Sequence, residues 1–311
     1  MMDECLRRPH WAPDLLDFFV RRKIFRQKIP LFVSFKLTYH CNLACSACPF
    51  HRRSGEEHAS IIWEGAVRAL DELKRRGTRI VVFEGGEPFL WRDGDRGLRE
   101  LVAYAKERFL RVAVTTNGTF PLDVPADVLW VSLDGTKGVH DLLRSGSFGQ
   151  VWANLEAAGR SPRGTRILVH FTMNRINWRE LGGLAEMLKG HPAVKGLTLQ
   201  LFYPYGQGES PLALSDEERR MALELALRLK RSYPILNSAR CLRGMIRNDW
   251  PCREDLLINV DPDGLITRGC YVKRRGTVDC RRCGFTPVAE ASAALGLHPG
   301  SLIAGWRAYL S

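Results

Sequence analysis

Three cysteines, Cys41, Cys45 and Cys48, lie in one short segment with the spacing C-x3-C-x2-C. A structural zinc site ordinarily takes four ligands, often as paired C-x2-C units. Three thiolates on one loop can instead bind three irons of a [4Fe–4S] cluster and leave the fourth iron open to a small molecule. The lack of a fourth cysteine nearby therefore favours an open cluster, with a structural zinc site or a simple ferredoxin-like loop as the alternatives.

A second group that can do chemistry follows the apolar run RIVVF, as Gly85, Gly86, Glu87 and Pro88. Paired glycines let a backbone approach a ligand closely, and a carboxylate accepts hydrogen bonds from an ammonium group. The motif is weak by itself. Its place directly after an apolar run matches that of the cysteine segment, and the two motifs together, in this order, are a much stronger signal than either alone.

A third group lies near the end of the chain, where five of the nine cysteines are found. Cys252 and Cys270 flank a predicted strand–turn–strand around the DPDG segment at 261–264, and Cys280 and Cys283 form a C-x2-C pair. Four thiolates from such a hairpin and pair can complete one metal site without outside ligands. The spacing alone permits either a zinc ribbon or an iron–sulfur cluster.

The segments that must position these groups alternate between β-rich apolar runs and amphipathic helical runs. Six β-rich runs separated by helical runs predict a parallel sheet covered by helices, with the functional residues on loops at the carboxyl ends of the strands. The predicted strands are 31–39, 79–86, 111–118, 128–135, 166–174 and 196–206. The predicted helices are 61–76, 94–108, 148–159, 178–190 and a last one, to about residue 231, which Ser215 and Glu218 open as a capping box.

Length and composition suit a globular α/β chain: 311 residues, of which 45% are hydrophobic. We divide it into an amphipathic helical segment at 1–30, an α/β region at 31–232 and a small cysteine-rich module at 233–311. The sequence has neither a secretion signal nor an apolar run of the ~18–20 residues that span a membrane, so we expect a cytoplasmic location. Cysteines in that compartment favour metal ligation over disulfides.

The net charge of +12 indicates either a solvated basic surface or attraction to an anionic partner. Residues 11–29 combine aromatic with basic side chains at helical spacing. We expect this helix to pack across one end of a barrel, while the alternative is a helix that lies on an anionic membrane as a peripheral contact.

The order of these motifs, each after a predicted strand, resembles the radical S-adenosylmethionine (SAM) superfamily. The cysteine triad follows the first strand, the GGE-type motif the second, and TTNG at 115–118 and SLDG at 132–135 close the third and fourth. HDLLRSGSFGQVWANL at 140–155 is similar to a run in the branch that includes anaerobic sulfatase-maturing and peptide-modifying enzymes. The resemblance implies a partial (β/α)6 TIM-like barrel. The C-terminal cysteines resemble the twitch subdomain, a shortened SPASM domain with one auxiliary [4Fe–4S] cluster.

The resemblance also implies roles for individual residues. Ser132 would contact the SAM ribose or carboxylate, and Arg144 would pair with the carboxylate. Tyr39 and Phe50 would shield the cluster or stack near adenine, with core packing as the alternative. The implied SAM-binding residues are Gly85, Gly86, Glu87, Pro88, Asn117, Ser132, Arg144 and Thr172. The implied ligands are Cys41, Cys45 and Cys48 for the SAM-binding cluster, and Cys252, Cys270, Cys280 and Cys283 for the auxiliary cluster. For Cys241 three roles stay open: a ligand in place of one of these four cysteines, a catalytic thiol, or an ordinary buried cysteine.

The activity implied is reductive cleavage of SAM to a 5′-deoxyadenosyl radical, which abstracts a substrate hydrogen. An electron-accepting auxiliary cluster suits oxidation of the substrate radical, and a reducing partner such as flavodoxin or ferredoxin would supply electrons. We expect a peptide or small-molecule substrate. The alternatives are an isoprenoid or other lipid modified at the membrane surface and a zinc-containing nucleic-acid-binding protein, which would leave the ordered strand-end motifs unexplained.

Overall fold

Six parallel strands lie side by side in the order β1-β2-β5-β6-β7-β8, which confirms the predicted parallel sheet. The computed structural model describes residues 11–48, 59–160, 164–204, 208–274 and 279–311. The described strands are β1 (Phe32–Thr38), β2 (Ile80–Gly85), β3 (Arg92–Asp93), β4 (Arg96–Gly97), β5 (Arg111–Thr116), β6 (Val128–Ser132), β7 (Arg166–Met173), β8 (Val194–Leu201), β9 (Leu257–Val260) and β10 (Ile266–Arg268).

Helices follow most of these strands, as the alternating pattern predicts. The capping box of Ser215 and Glu218 is formed at the start of the longest described helix. The described α-helices are α1 (Trp11–Lys23), α2 (Trp63–Arg75), α3 (Leu98–Lys106), α4 (Lys137–Leu143), α5 (Phe148–Arg160), α6 (Leu181–Leu188), α7 (Asp216–Leu229), α8 (Ala239–Arg247), α9 (Thr286–Leu295) and α10 (Pro299–Tyr309).

The sheet separates two apolar clusters because alternate side chains of a strand point to opposite faces. On β1, Val33 and Phe35 belong to the larger cluster, which includes helix residues such as Leu70 of α2. Phe32 belongs to the second cluster, which also contains Phe18 of α1 and Ala308 of α10. The N-terminal helix therefore packs across the end of the barrel at which the strands begin, as the sequence led us to expect.

The C-terminal residues extend the main sheet. Strand β9 pairs in parallel with β1, and β10 pairs antiparallel with β9, so the predicted strand–turn–strand forms and lies beside the strand that precedes the cysteine triad. The division of the chain at residue 233 stays a prediction. The helix predicted at 94–108 is shorter in the structure, where α3 begins at Leu98. A two-stranded ribbon, β3–β4, precedes it.

Candidate active site

The triad loop leaves the carboxyl end of β1 and lies against the end of α4. The backbone N–H of Ser46 donates to the carbonyl of Leu143 at 3.0 Å, and that of Ala44 donates to the Ser145 hydroxyl at 3.1 Å. Burial raises the pKa of the Cys45 thiol to about 11, and the nearby Arg144 guanidinium acts in the opposite direction. A cluster that binds here must therefore displace protons from buried thiols, with help from one cation.

Gly85 and Gly86 are required by contacts within the protein. A Cβ atom on Gly86 would lie 2.1 Å from the carbonyl oxygen of His40, and one on Gly85 would lie 2.3 Å from that of Thr38. The backbone N–H of Gly86 donates to the carbonyl of Thr38 at 2.7 Å, and the backbone N–H of Glu87 donates to the carbonyl of His40 at 2.9 Å. The glycines thus fasten the end of β2 to the segment that leads into Cys41. Their predicted contact with SAM, and that of the neighbouring Pro88, stay predictions.

Glu87 is fully buried and joins the ends of two strands. Its carboxylate accepts hydrogen bonds from the backbone N–H groups of Asn117 (2.7 Å) and Phe89 (3.1 Å) and from the Thr116 hydroxyl (2.8 Å). Burial raises its pKa to about 7, against the opposite effect of these hydrogen bonds. All of these partners belong to the protein, so the structure gives Glu87 a clear role in holding the loops, while binding of a SAM ammonium group stays a prediction.

Asn117 lies where the third predicted strand ends and links that strand to the triad. Its side-chain amide lies 3.7 Å from the Cys41 sulfur and donates to the side-chain oxygen of Asn42 at 2.9 Å. The Asn42 amide in turn donates to the Thr119 hydroxyl at 2.9 Å. These amide contacts orient the Cys41 side of the loop.

The partly exposed Arg144 and the buried Asp134 form an ion pair beside the triad. The Nε atom of Arg144 donates to Asp134 at 2.6 Å, and the other carboxylate oxygen of Asp134 accepts from the backbone N–H of Thr172 at 2.9 Å. Burial acts to lower the pKa of Arg144, but the charge of Asp134 and the hydrogen bond to it act to raise the pKa, and Arg144 stays cationic. The structure therefore brings Arg144 together with the cysteines and with Thr172, and Ser132 lies two residues before Asp134 at the end of β6.

Two histidines near the site, His140 and His170, were not predicted from the sequence as site residues. His140, within the quoted 140–155 run, is fully buried, accepts from the backbone N–H of Asp134 at 3.2 Å, and lies 3.1 Å from the Ser147 hydroxyl. His170 pairs with Ser132 across the sheet, and its Nδ1 lies 3.1 Å from the Thr198 hydroxyl, which donates to the carbonyl of Val169.

Because that hydroxyl proton is already used, Nδ1 of His170 carries the ring proton and Nε2 is an acceptor. Burial lowers its pKa to about 4, so the imidazole is neutral at pH 7. One signal in the sequence could have placed His170 on the inner face of the sheet. It alternates with the apolar Val169 and Phe171, which face outward, along a predicted strand.

The four C-terminal cysteines, Cys252, Cys270, Cys280 and Cys283, line one cavity of about 350 Å³. The cavity lies at the carboxyl end of β8, where Gln200 and Tyr203 also line it. Burial raises the pKa of the Cys270 and Cys283 thiols. Among the described residues, no three Cys, His, Asp or Glu side chains converge on a single-ion position, at this cavity or at the triad.

Cys241 lies apart from this cavity, whose lining does not include it. It is 3% exposed in the main core, near the start of α8. Burial, reinforced by the charge of Glu290, raises its pKa well above that of an ordinary thiol. This environment is that of a buried, protonated cysteine, and the geometry adds no support to a catalytic or ligating role. Of the two aromatic residues expected to shield the cluster, Tyr39 donates to Asp261 at 3.1 Å, and Phe50 lies outside the described residues.

The sequence matches the radical SAM superfamily over residues 35–188, which contain the triad, the GGE-type motif, Asp134, Arg144 and Thr172. The chain belongs to the radical SAM superfamily and is an enzyme of that class. Members of this family bind a [4Fe–4S] cluster and SAM. The chemistry of the three triad thiols and the adjacent cation Arg144 fits those two groups.

Fe-coproporphyrin III synthase of Methanosarcina barkeri is 29% identical in an alignment of 214 residues that covers 65% of this chain and 52% of that protein. This chain therefore spans about half the length of that relative. AdoMet-dependent heme synthase of the same organism is 26% identical in an alignment of 285 residues that covers 83% of this chain and 78% of that protein. Streptococcus suis SuiB bound to S-adenosylmethionine shares the fold, with a TM-score of 0.65 at 12% identity over 96% of this chain and 75% of that chain. No described helix is long and apolar enough to cross a membrane.

Proposed function

We propose that this enzyme oxidises its substrate by radical SAM chemistry in which the C-terminal cysteines hold an auxiliary [4Fe–4S] cluster. When bound, the triad cluster and SAM supply a 5′-deoxyadenosyl radical that removes one hydrogen atom from the substrate. Cys41, Cys45 and Cys48 would ligate the SAM-binding cluster. Arg144, oriented by Asp134, would bind the SAM carboxylate through a charge-assisted hydrogen bond.

The observation that carries the auxiliary cluster is the common cavity of Cys252, Cys270, Cys280 and Cys283. Four thiolates complete a cluster without an open iron, and a cluster of that kind passes electrons rather than binding substrate. The inner face of the sheet offers a second useful group, because Nε2 of the neutral His170 ring can accept a hydrogen bond from a substrate. Supply of electrons to the triad cluster would require a reducing partner such as flavodoxin or ferredoxin.

For the substrate we propose an anionic small molecule, and an iron tetrapyrrole is the first to test. The support is the similarity to AdoMet-dependent heme synthase, which extends over most of both chains. A net charge of +12 favours a substrate that carries carboxylates. A peptide, the other class indicated by the 140–155 run, is the competing substrate.

The test incubates the reconstituted enzyme with SAM, dithionite and Fe-coproporphyrin III, and measures the tetrapyrrole product and 5′-deoxyadenosine by mass spectrometry. The matched variant, Cys280→Ser with Cys283→Ser, leaves the triad intact. We expect the wild type to form an oxidised tetrapyrrole, and the variant to form deoxyadenosine with little or no product. An unchanged tetrapyrrole would refute the substrate, and equal product from the variant would refute the role of the auxiliary cluster.

A lipid substrate at the membrane surface is a second candidate, favoured by one observation. Leu16, Ile24 and Phe25, on and just after α1, have exposed fractions of 65%, 69% and 65%. Basic residues interleave with them, and apolar groups among cations are typical of a helix that lies on an anionic bilayer. Because Phe18 of α1 is buried in the barrel, the test substitutes Ile24→Asp and Phe25→Asp rather than deleting the segment. Co-sedimentation with anionic liposomes that these changes do not reduce would refute this candidate.

A further inference from the structure

Arg219 of α7 reaches from the barrel helices to the C-x2-C segment, whose cysteines line the C-terminal cavity. It is 9% exposed and donates four hydrogen bonds to oxygen acceptors, besides a longer contact of 3.9 Å with the Met245 sulfur. Two of them go to the C-x2-C segment, at 3.0 Å to the carbonyl of Arg282 and 2.6 Å to the carbonyl of Cys283. The other two go to the end of α8, at 2.6 Å to the carbonyl of Met245 and 2.7 Å to the side-chain oxygen of Asn248.

Asn248 completes the same arrangement. Its side-chain amide donates to the carbonyls of Cys280 at 3.2 Å and Arg281 at 2.5 Å. It can do so because it ends α8 in the left-handed conformation, with φ of 51°. All four carbonyls of the C-x2-C segment, residues 280–283, thus accept hydrogen bonds from Asn248 or Arg219.

The charge of Arg219 has no carboxylate partner at ion-pair distance among the described residues. Each of its four acceptors is a neutral oxygen, and Asp216, the acid that acts on it electrostatically, is exposed at the start of α7. A buried cation without a counter-charge is unfavourable, and such groups are ordinarily paired. The anion that the site can supply is the set of thiolates around the neighbouring cavity, of which Cys283 acts electrostatically on Arg219.

We propose that Arg219 is a positioning residue of the C-terminal cluster, which fixes the C-x2-C segment and supplies the counter-charge for its thiolates. This inference rests on the proposed auxiliary cluster. A four-thiolate [4Fe–4S] cluster carries net negative charge in each of its usual oxidation states, so a cation built beside it favours the reduced, more negative state. The forked guanidinium is needed because lysine has the charge but cannot reach two carbonyls and two further acceptors at once.

The experiment isolates the C-terminal cluster in a Cys41/Cys45/Cys48→Ala background and measures iron per chain and the reduction potential by EPR-monitored titration. Arg219→Gln removes the charge, and Arg219→Lys keeps it. Arg220→Gln is the matched control, since Arg220 is exposed and pairs with Glu217 and Glu224. Circular dichroism shows whether each variant is folded.

We expect Arg219→Gln to shift the reduction equilibrium about tenfold toward the oxidised state, which is about −59 mV for a one-electron couple. Arg219→Lys should keep the wild-type potential and lose iron to a chelator faster, because the carbonyls are released. If Arg219→Gln does not fold, the test rests on Arg219→Lys. Loss of iron to the chelator at the wild-type rate in Arg219→Lys would then overturn the positioning role. A folded Arg219→Gln with wild-type iron and potential overturns the proposal outright. A background protein that binds no iron refutes the proposed auxiliary cluster itself, whatever Arg219 does.

Discussion

Replacing Gly86 by alanine tests whether the end of β2 holds the triad loop in place. The added Cβ atom would lie 2.1 Å from the carbonyl oxygen of His40 and 2.6 Å from that of Tyr39, and neither backbone atom can move without displacing the lead-in to Cys41. Reaching an ordinary contact requires a shift of roughly 1 Å. Such overpacking costs about 1–3 kcal/mol, and the two hydrogen bonds at this junction are worth about 1 kcal/mol each. We therefore expect a loss of about 3–5 kcal/mol in unfolding free energy.

The assay combines urea unfolding with iron content and 5′-deoxyadenosine formation after anaerobic reconstitution. Gly149→Ala is the matched control: Gly149 lies in α5 and its added Cβ meets nothing within 4 Å. The unfolding free energy of the control should rise by about 0.5–1 kcal/mol because alanine has the better helix propensity, and its iron content and deoxyadenosine formation should equal those of the wild type. Wild-type stability, iron and deoxyadenosine in Gly86→Ala would refute the close-approach argument.

Three further predictions follow from the site. Asp134→Asn should weaken SAM binding about tenfold, since a charged hydrogen bond orients Arg144; tighter binding by equilibrium dialysis would mean that Asp134 competes with the SAM carboxylate. Burial lowers the pKa of His140 from 6.5 to about 4, so the unfolded chain takes up the proton first and stability falls as pH falls between those values. Urea unfolding should show a loss of about 2 kcal/mol from pH 7.5 to 5.0 that His140→Gln reduces, and an equal pH dependence in that variant would contradict this. Cys241→Ala should lower stability by about 1 kcal/mol without changing iron per chain, whereas lost iron would make it a ligand.

Local sequence pattern is enough to predict one part of the fold. Strand periodicity gave the six parallel strands, and the triad, GGEP, TTNG and SLDG each lie at a carboxyl end, as their position after a predicted strand required. The pairing of β9 with β1 was missed because no local pattern specifies which strand lies beside a C-terminal hairpin.

In the candidate site, too, local pattern predicts which residues are present but not which residues they contact. Asp134 belongs to the quoted SLDG motif, yet its pairing with Arg144 depends on how α4 packs over the strand ends. Arg219 belongs to an ordinary helical run, and nothing in its spacing indicates that it reaches the C-x2-C segment. The expectation that Gly85 and Gly86 make room for a ligand arose from the motif alone, whereas the atoms they make room for belong to residues 38–40.

The central claim is that one chain holds two clusters at two separate cysteine groups. The most direct test measures iron, zinc and 5′-deoxyadenosine in three proteins: the wild type, a Cys41/Cys45/Cys48→Ala variant, and a Cys252/Cys270/Cys280/Cys283→Ala variant. We predict about eight irons in the wild type and about four in each variant, with deoxyadenosine from the wild type and the C-terminal variant only. About four irons and one zinc in the wild type, or no loss of iron in the C-terminal variant, would contradict the claim.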